Sequence, residues 1–197
     1  MRIFQGIEQP DSGTILVDGK PINITNPKQA LKIGIGMVHQ EFMMAPDLSL
    51  LENLILGEEP LQNKLGIFSK INWRHARAEG DELAKKIGVS IDWERKANST
   101  PVHILQFVEI IRLLRRGCRI IILDETTAVL APPQVEELFN LLRKLSASGT
   151  TVIFISHKIN EVVAIAEHVS VMRRGKISFS NAIKNTSISE IAFHIVG

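Results

Sequence analysis

Three places in the sequence set a polar, reactive side chain directly after an apolar run. Asp124-Glu125 follows Ile120–Leu123, His157 follows Val152–Ile155 with only Ser156 between, and His39-Gln40 follows Gly34–Val38. A carboxylate at the end of a buried strand, with a second one next to it, suits a magnesium site beside a water-activating base. A histidine at such a strand end can hydrogen-bond a terminal phosphate, and a glutamine amide can orient water or complete a magnesium shell. Each feature also has an ordinary explanation. An Asp-Glu pair often opens a turn or helix, a histidine after a strand usually makes a structural hydrogen bond, and a loop glutamine is usually polar surface. Their joint appearance at successive strand ends favours phosphate chemistry.

The usual partner of that chemistry is absent from the sequence. A phosphate-cradling loop needs G-x-x-x-x-G-K-[ST], whose backbone N–H groups and helix N-terminus surround the phosphates. Five residues, one too many, separate Gly13 from Gly19-Lys20, and Pro21 stands where Ser or Thr is required. Gly175-Lys176 is followed by Ile177, with Ser170 at the position of the first glycine. The chain contains no P-loop pattern.

The elements that must position these groups follow from patterning. The chain has 197 residues, 45% hydrophobic and 22% charged, which fits one globular domain rather than a disordered segment. A net charge of +2 gives no electrostatic case for binding nucleic acid, and the single Cys118 excludes an internal disulfide. The densest apolar runs are strand-sized, too short to span a membrane, and Met1–Gly6 has no apolar core of signal-peptide length. Met1–Ile7 reads as the last turns of a helix, Gln9–Gly13 as a turn, and Thr14–Val17 with Asp18-Gly19 as the start of a hairpin. Asn26-Pro27 opens a short helix. Ser49 and Glu52 have capping-box spacing, and Asn72 caps a helix that Gly88 ends. Residues 57–70 read as loop. Thr100-Pro101 starts a long helix ended by Gly117. From there strand and helix alternate through 119–123, 132–146, 150–156, 158–166 and 168–172, and Ser187 with Glu190 caps a terminal helix. The strands at 119–123 and 150–156 both read as buried. This order predicts an α/β fold with a mostly parallel sheet and right-handed crossovers. The predicted divisions are residues 1–40, a helical layer at 41–100, and a second α/β part at 101–197.

These motifs resemble the ATP-binding subunits of ABC transporters, specifically the sugar and nucleoside importer type. Gly34–Phe42 is similar to that branch's Q-loop strand and Ile120–Glu125 to its Walker B strand. Thr127–Leu130 is similar to its D-loop, and Ile155–Lys158 to its switch-histidine motif. The resemblance implies an incomplete P-loop NTPase core with an inserted helical subdomain. It further implies that Asp124 and Gln40 hold magnesium, that Glu125 polarises the attacking water, and that His157 contacts the γ-phosphate of ATP. The implied partners are a transmembrane permease and a second ATPase domain, at the cytoplasmic face of the cell membrane. The family's Walker A motif would lie upstream of Met1. The signature motif, Leu-Ser-x-Gly-Gln in the family, falls on Thr100-Pro101-Val102-His103-Ile104. There Pro101 offers neither hydroxyl nor N–H, and the His103 side chain crowds the approach, so a degenerate signature is expected. Thr126 replaces the usual proline after Asp-Glu. Without the strand that precedes the P-loop, which is expected to lie beside the Walker B strand, two interior strands would lose partners and the chain would be poorly stable alone. Two alternatives are a non-catalytic remnant that docks a permease or partner ATPase, and an ABC-type ATPase of repair or translation. The sequence around Gln40 and Thr127–Leu130 disfavours the latter.

Overall fold

The computed structural model describes residues 1–39, 43–62 and 69–196, so Gln40 and the middle of the 57–70 loop lie outside the described residues. Met1–Ile7 forms turns rather than a full helix. Gly6 N–H donates to Ile3 O (3.0 Å) and Ile7 N–H to Arg2 O (3.0 Å). This crossed pair is the hydrogen-bond pattern that closes a helix C-terminus. Gly6 is required there, because its φ is 70° and a Cβ would stand 2.7 Å from the Asn26 backbone.

A hairpin of β1 (Ile15–Val17) and β2 (Lys20–Ile22) turns through Asp18 and Gly19, both at positive φ. Such a pair matches the twist of the flanking strands. Helix α1 (Pro27–Ile33) starts from Asn26, whose side chain accepts the Gln29 N–H, and leads into β3 (Ile35–Val38). Helix α2 (Leu50–Ile55) carries the complete Ser49–Glu52 capping box. Asn72 and Gly88 bound α3 (Trp73–Ile87) as their types predict. The long helix α4 (Val102–Arg115) then delivers β4 (Ile120–Asp124), followed by α5 (Pro132–Ala147), β5 (Thr151–Ile155) and α6 (Ile159–Ile165). The chain continues through β6 (His168–Arg173), β7 (Lys176–Ala182) and α7 (Ile188–Val196).

Strands β3, β4 and β5 form a parallel sheet in that order, with Val38 opposite Leu123 and Leu123 opposite Phe154. Strands β4 and β5 therefore end level, at Asp124 opposite Ile155, and β3 ends one residue short. Alternation divides their side chains between two faces. Val38, Ile121, Leu123, Val152 and Phe154 join the main core with α2, α3, α4 and α5. Ile35, Ile122, Ile153 and Ile155 face a smaller cluster with Ile24, Ala30 and Phe4. Helix α4 packs on α2 and α3 as well as on β3.

Three expectations need correction. The 150–156 strand is not buried: Thr151 is exposed and Val152–Ile155 are half-buried, since among the described residues β5 has a strand neighbour on one side only. The Asp124 strand is not missing a neighbour, because β3 and β5 flank it on both sides. Among the described residues β3 and β5 are the two edges of this sheet. The 168–172 strand does not join the parallel sheet either. It pairs antiparallel with β7 through a turn at Arg174 and Gly175, and Val169, Val171 and Ile191 form a separate small cluster.

Candidate functional site

The level strand ends bring two of the predicted residues together. Asp124 closes β4 as a half-buried carboxylate to which no described side chain or backbone group bonds. Glu125 turns the chain outward at φ 49°, a backbone region that non-glycine residues visit rarely, and its N–H donates to Ile155 O at 3.0 Å. That bond extends the β4–β5 ladder one residue past Asp124. It places the Glu125 carboxylate 3.4 Å from Nδ1 of His157, with the two side chains 37% and 65% exposed. Both groups are thus held by adjacent parallel strands and remain accessible to solvent.

The loops behind them are tied by bonds that sequence reasoning missed. Thr126 and Thr127 are buried. Gln106 of α4 donates its amide to Thr126 O, and the Thr127 hydroxyl donates to Glu161 Oε2 at 2.5 Å. Ser156 Oγ donates to the same carboxylate oxygen at 3.2 Å, while Lys158 Nζ lies 2.9 Å from Glu161 Oε1. Burial pushes the Glu161 carboxyl upward. The bonds from Thr127, Lys158 and Ser156 and the Lys158 charge outweigh it and hold the group below its ordinary range. A Lys-x-x-Glu spacing at the start of a helix was the available signal, but many surface helices carry it. Gln106 gave no signal, being one of five polar side chains, with His103, Glu109, Arg112 and Arg115, spaced every three residues along α4.

His39, next to Gln40, has its Nε2 at 2.9 Å from the Gln5 side-chain amide. Gln40 itself lies outside the described residues. The Pro101–Val102–His103 segment sits at the N-terminus of α4. Pro101 is the N-cap, with no side-chain cap bond, and its carbonyl accepts the N–H groups of Ile104 and Leu105. The His103 ring packs edge-on against Phe107 at 5.9 Å, and its Nδ1 is buried with no partner. It lines a groove of about 500 Å³ with Asn140, Glu137 and Lys144. No hydrogen bond of this segment reaches Asp124, Glu125 or His157 among the described residues.

Two carboxylates in sequence, one with no partner among the described residues, match the way magnesium is held beside phosphates, by one or two carboxylates with the remaining positions left to substrate and water. No group of three or more His, Cys, Asp or Glu converges among the described residues. The donor set fits magnesium that arrives with a phosphate ligand and does not fit an all-protein metal cage. The sequence profile of ABC transporters matches residues 1–128.

The chain belongs to the ABC transporter family.

The fold agrees. The ATP-binding cassette MJ1267 of an ABC transporter superposes with a TM-score of 0.80 at 25% identity, covering 100% of this chain and 81% of that one. A nucleotide-free ATP-binding cassette from an ABC transporter gives 0.79 at 24% identity, over 97% and 81%. Among sequence relatives, the ribose import ATP-binding protein RbsA of Bacillus licheniformis is 36% identical over 197 residues. Ribose import ATP-binding protein RbsA 2 of Burkholderia ambifaria is 37% identical over the same length. The ABC chain is covered entirely in both matches but spans only 39% and 38% of those proteins. Among its described residues no helix is long and apolar enough to cross a membrane.

Proposed function

We propose that this chain is part of the ATP-hydrolysing component of an importer for sugars or nucleosides, and that it is not competent alone. The observation that carries this reading is the Glu125–His157 pair at 3.4 Å, at the ends of two adjacent parallel strands, preceded by Asp124, which has no partner among the described residues. The relatives' description as ribose import proteins favours a sugar. Asp124 would hold magnesium, with Gln40 completing its shell. Magnesium, when bound, neutralises charge on the phosphates. The Glu125 carboxylate orients and polarises the attacking water, and the His157 imidazole donates a hydrogen bond to the terminal phosphate. The buried Thr126 and Thr127 fix the loop from which Glu125 projects. The partners in this reading are a transmembrane permease, which the 41–100 helical segment would meet through the Gln40 loop, and a second ATPase domain. The chain would lie at the cytoplasmic face of the membrane.

The phosphate cradle is what this sequence lacks. The Pro101–His103 segment adds no hydroxyl at the α4 terminus for a partner's phosphate. Titration of the chain with fluorescent ATP and magnesium should show no saturable binding in the micromolar range. Saturable micromolar binding would overturn the incompetence, and Glu125→Gln should then trap ATP without turnover. The alternative is a remnant that docks a permease or partner ATPase. It predicts capture by permease-containing vesicles whether or not ATP is present.

A further inference from the structure

We propose that Glu161 is a positioning residue that locks the loop carrying Glu125 to the loop carrying His157. One carboxylate serves both loops. Its Oε2 accepts from the Thr127 hydroxyl at 2.5 Å and from the Ser156 hydroxyl at 3.2 Å. Its Oε1 pairs with Lys158 Nζ at 2.9 Å, and the same ammonium donates to Thr127 O at 3.2 Å. Gln106 of α4 also holds the first loop through Thr126 O, but it does not reach the second. The remaining bonds within each loop are local: Ala128 N–H to Glu125 O, Leu130 N–H to Thr127 O, and Lys158 N–H to Ser156 Oγ.

Glu125 and His157 cannot hold each other in place. Their contact is a 3.4 Å pair between side chains open to solvent, and such pairs contribute little. The left-handed backbone at Glu125 persists only where surrounding structure fixes it. Thr127 is 1% exposed, so its hydroxyl requires an acceptor, and Glu161 is the one it has. The bonds through Glu161 and Lys158 tie the two loops below the strand ends, where the ladder bond from Glu125 to Ile155 no longer reaches.

The proposal rests on the roles given above to Glu125 and His157, but its test needs no nucleotide, so a failure of ATP binding leaves it standing or falling by itself. Hydrogen exchange followed by mass spectrometry on the full chain reads residues 125–130, 156–158 and the interior of β4 separately. Glu161→Ala should speed exchange at least tenfold in both loops together and leave β4 unchanged. Glu161→Gln, which keeps an acceptor for Thr127 and loses the Lys158 charge pair, should give a smaller rise. Thr127→Val should loosen the 156–158 loop although it lies in the other one. If Glu161→Ala fails to fold, Thr127→Val and Ser156→Ala carry the test. Their effects should be non-additive, because both hydroxyls report on one carboxylate. Response of a single loop, equal acceleration in β4, or additive effects of the two hydroxyl variants would each overturn the proposal.

Discussion

Glu109 is 7% exposed inside α4, takes the Met43 N–H on Oε1 at 2.9 Å, and leaves Oε2 buried with no partner among the described residues. Burial raises its carboxyl above the ordinary value of 4.5, against the opposing pull of the Met43 N–H and the Arg112 charge. A raised acid contributes stability that is present below about pH 4.5 and lost as pH rises through the folded value. Glu109→Gln keeps the acceptor for Met43 and removes the charge. It should stabilise the chain by about 1 kcal/mol at neutral pH, a Tm gain of roughly 2–4 °C, and by nothing at pH 4. Thermal melts at the two pH values check this; an equal shift at both would contradict the burial account. Glu161 has the opposite sign. Its lowered carboxyl stabilises above about pH 4.5, and that contribution fades as pH falls through the folded value. The strand-end placement of Asp124, Glu125 and His157 was legible because each follows an apolar run. The contacts of Glu109, Gln106 and Glu161 were not, because a polar residue in a helix looks the same whether it faces water or a buried loop.

At the level of elements, caps were legible and neighbours were not. Asn26, Ser49, Asn72 and Gly88 act within four residues of themselves, so their types suffice. Whether a strand is central depends on chain far away in sequence. Ile120–Leu123 and Val152–Ile155 are equally apolar, yet among the described residues the first has neighbours on both sides and the second on one. That difference carries a hazard, because an apolar strand with an unpaired edge recruits other strands. The chain should self-associate in concentration series followed by light scattering. A preparation that stays monomeric and melts cooperatively over the same concentrations would contradict this.

On the scale of the molecule, the two cores flanking the parallel sheet share its strands, while the third cluster stands apart on β6, β7 and α7 with three buried residues among those described. Little apolar area holds that third part, so residues 159–196 should open before the sheet does. Hydrogen exchange in rising urea should show those residues exposed at lower denaturant than β4, and simultaneous exposure would refute the separation. The family was legible across the whole length because its motifs occur in order, but strand order was not, because which strands pair depends on chain distant in sequence. The level ending of β4 and β5 has its own consequence. The site behaves as a reading frame. Deleting one residue within β5 would exchange the Val152 and Phe154 face for that of Ile153 and Ile155, and withdraw His157 by about 3.3 Å from its carboxylate. The chemistry of these residues is therefore written in the lengths of the strands as much as in the side chains at their ends.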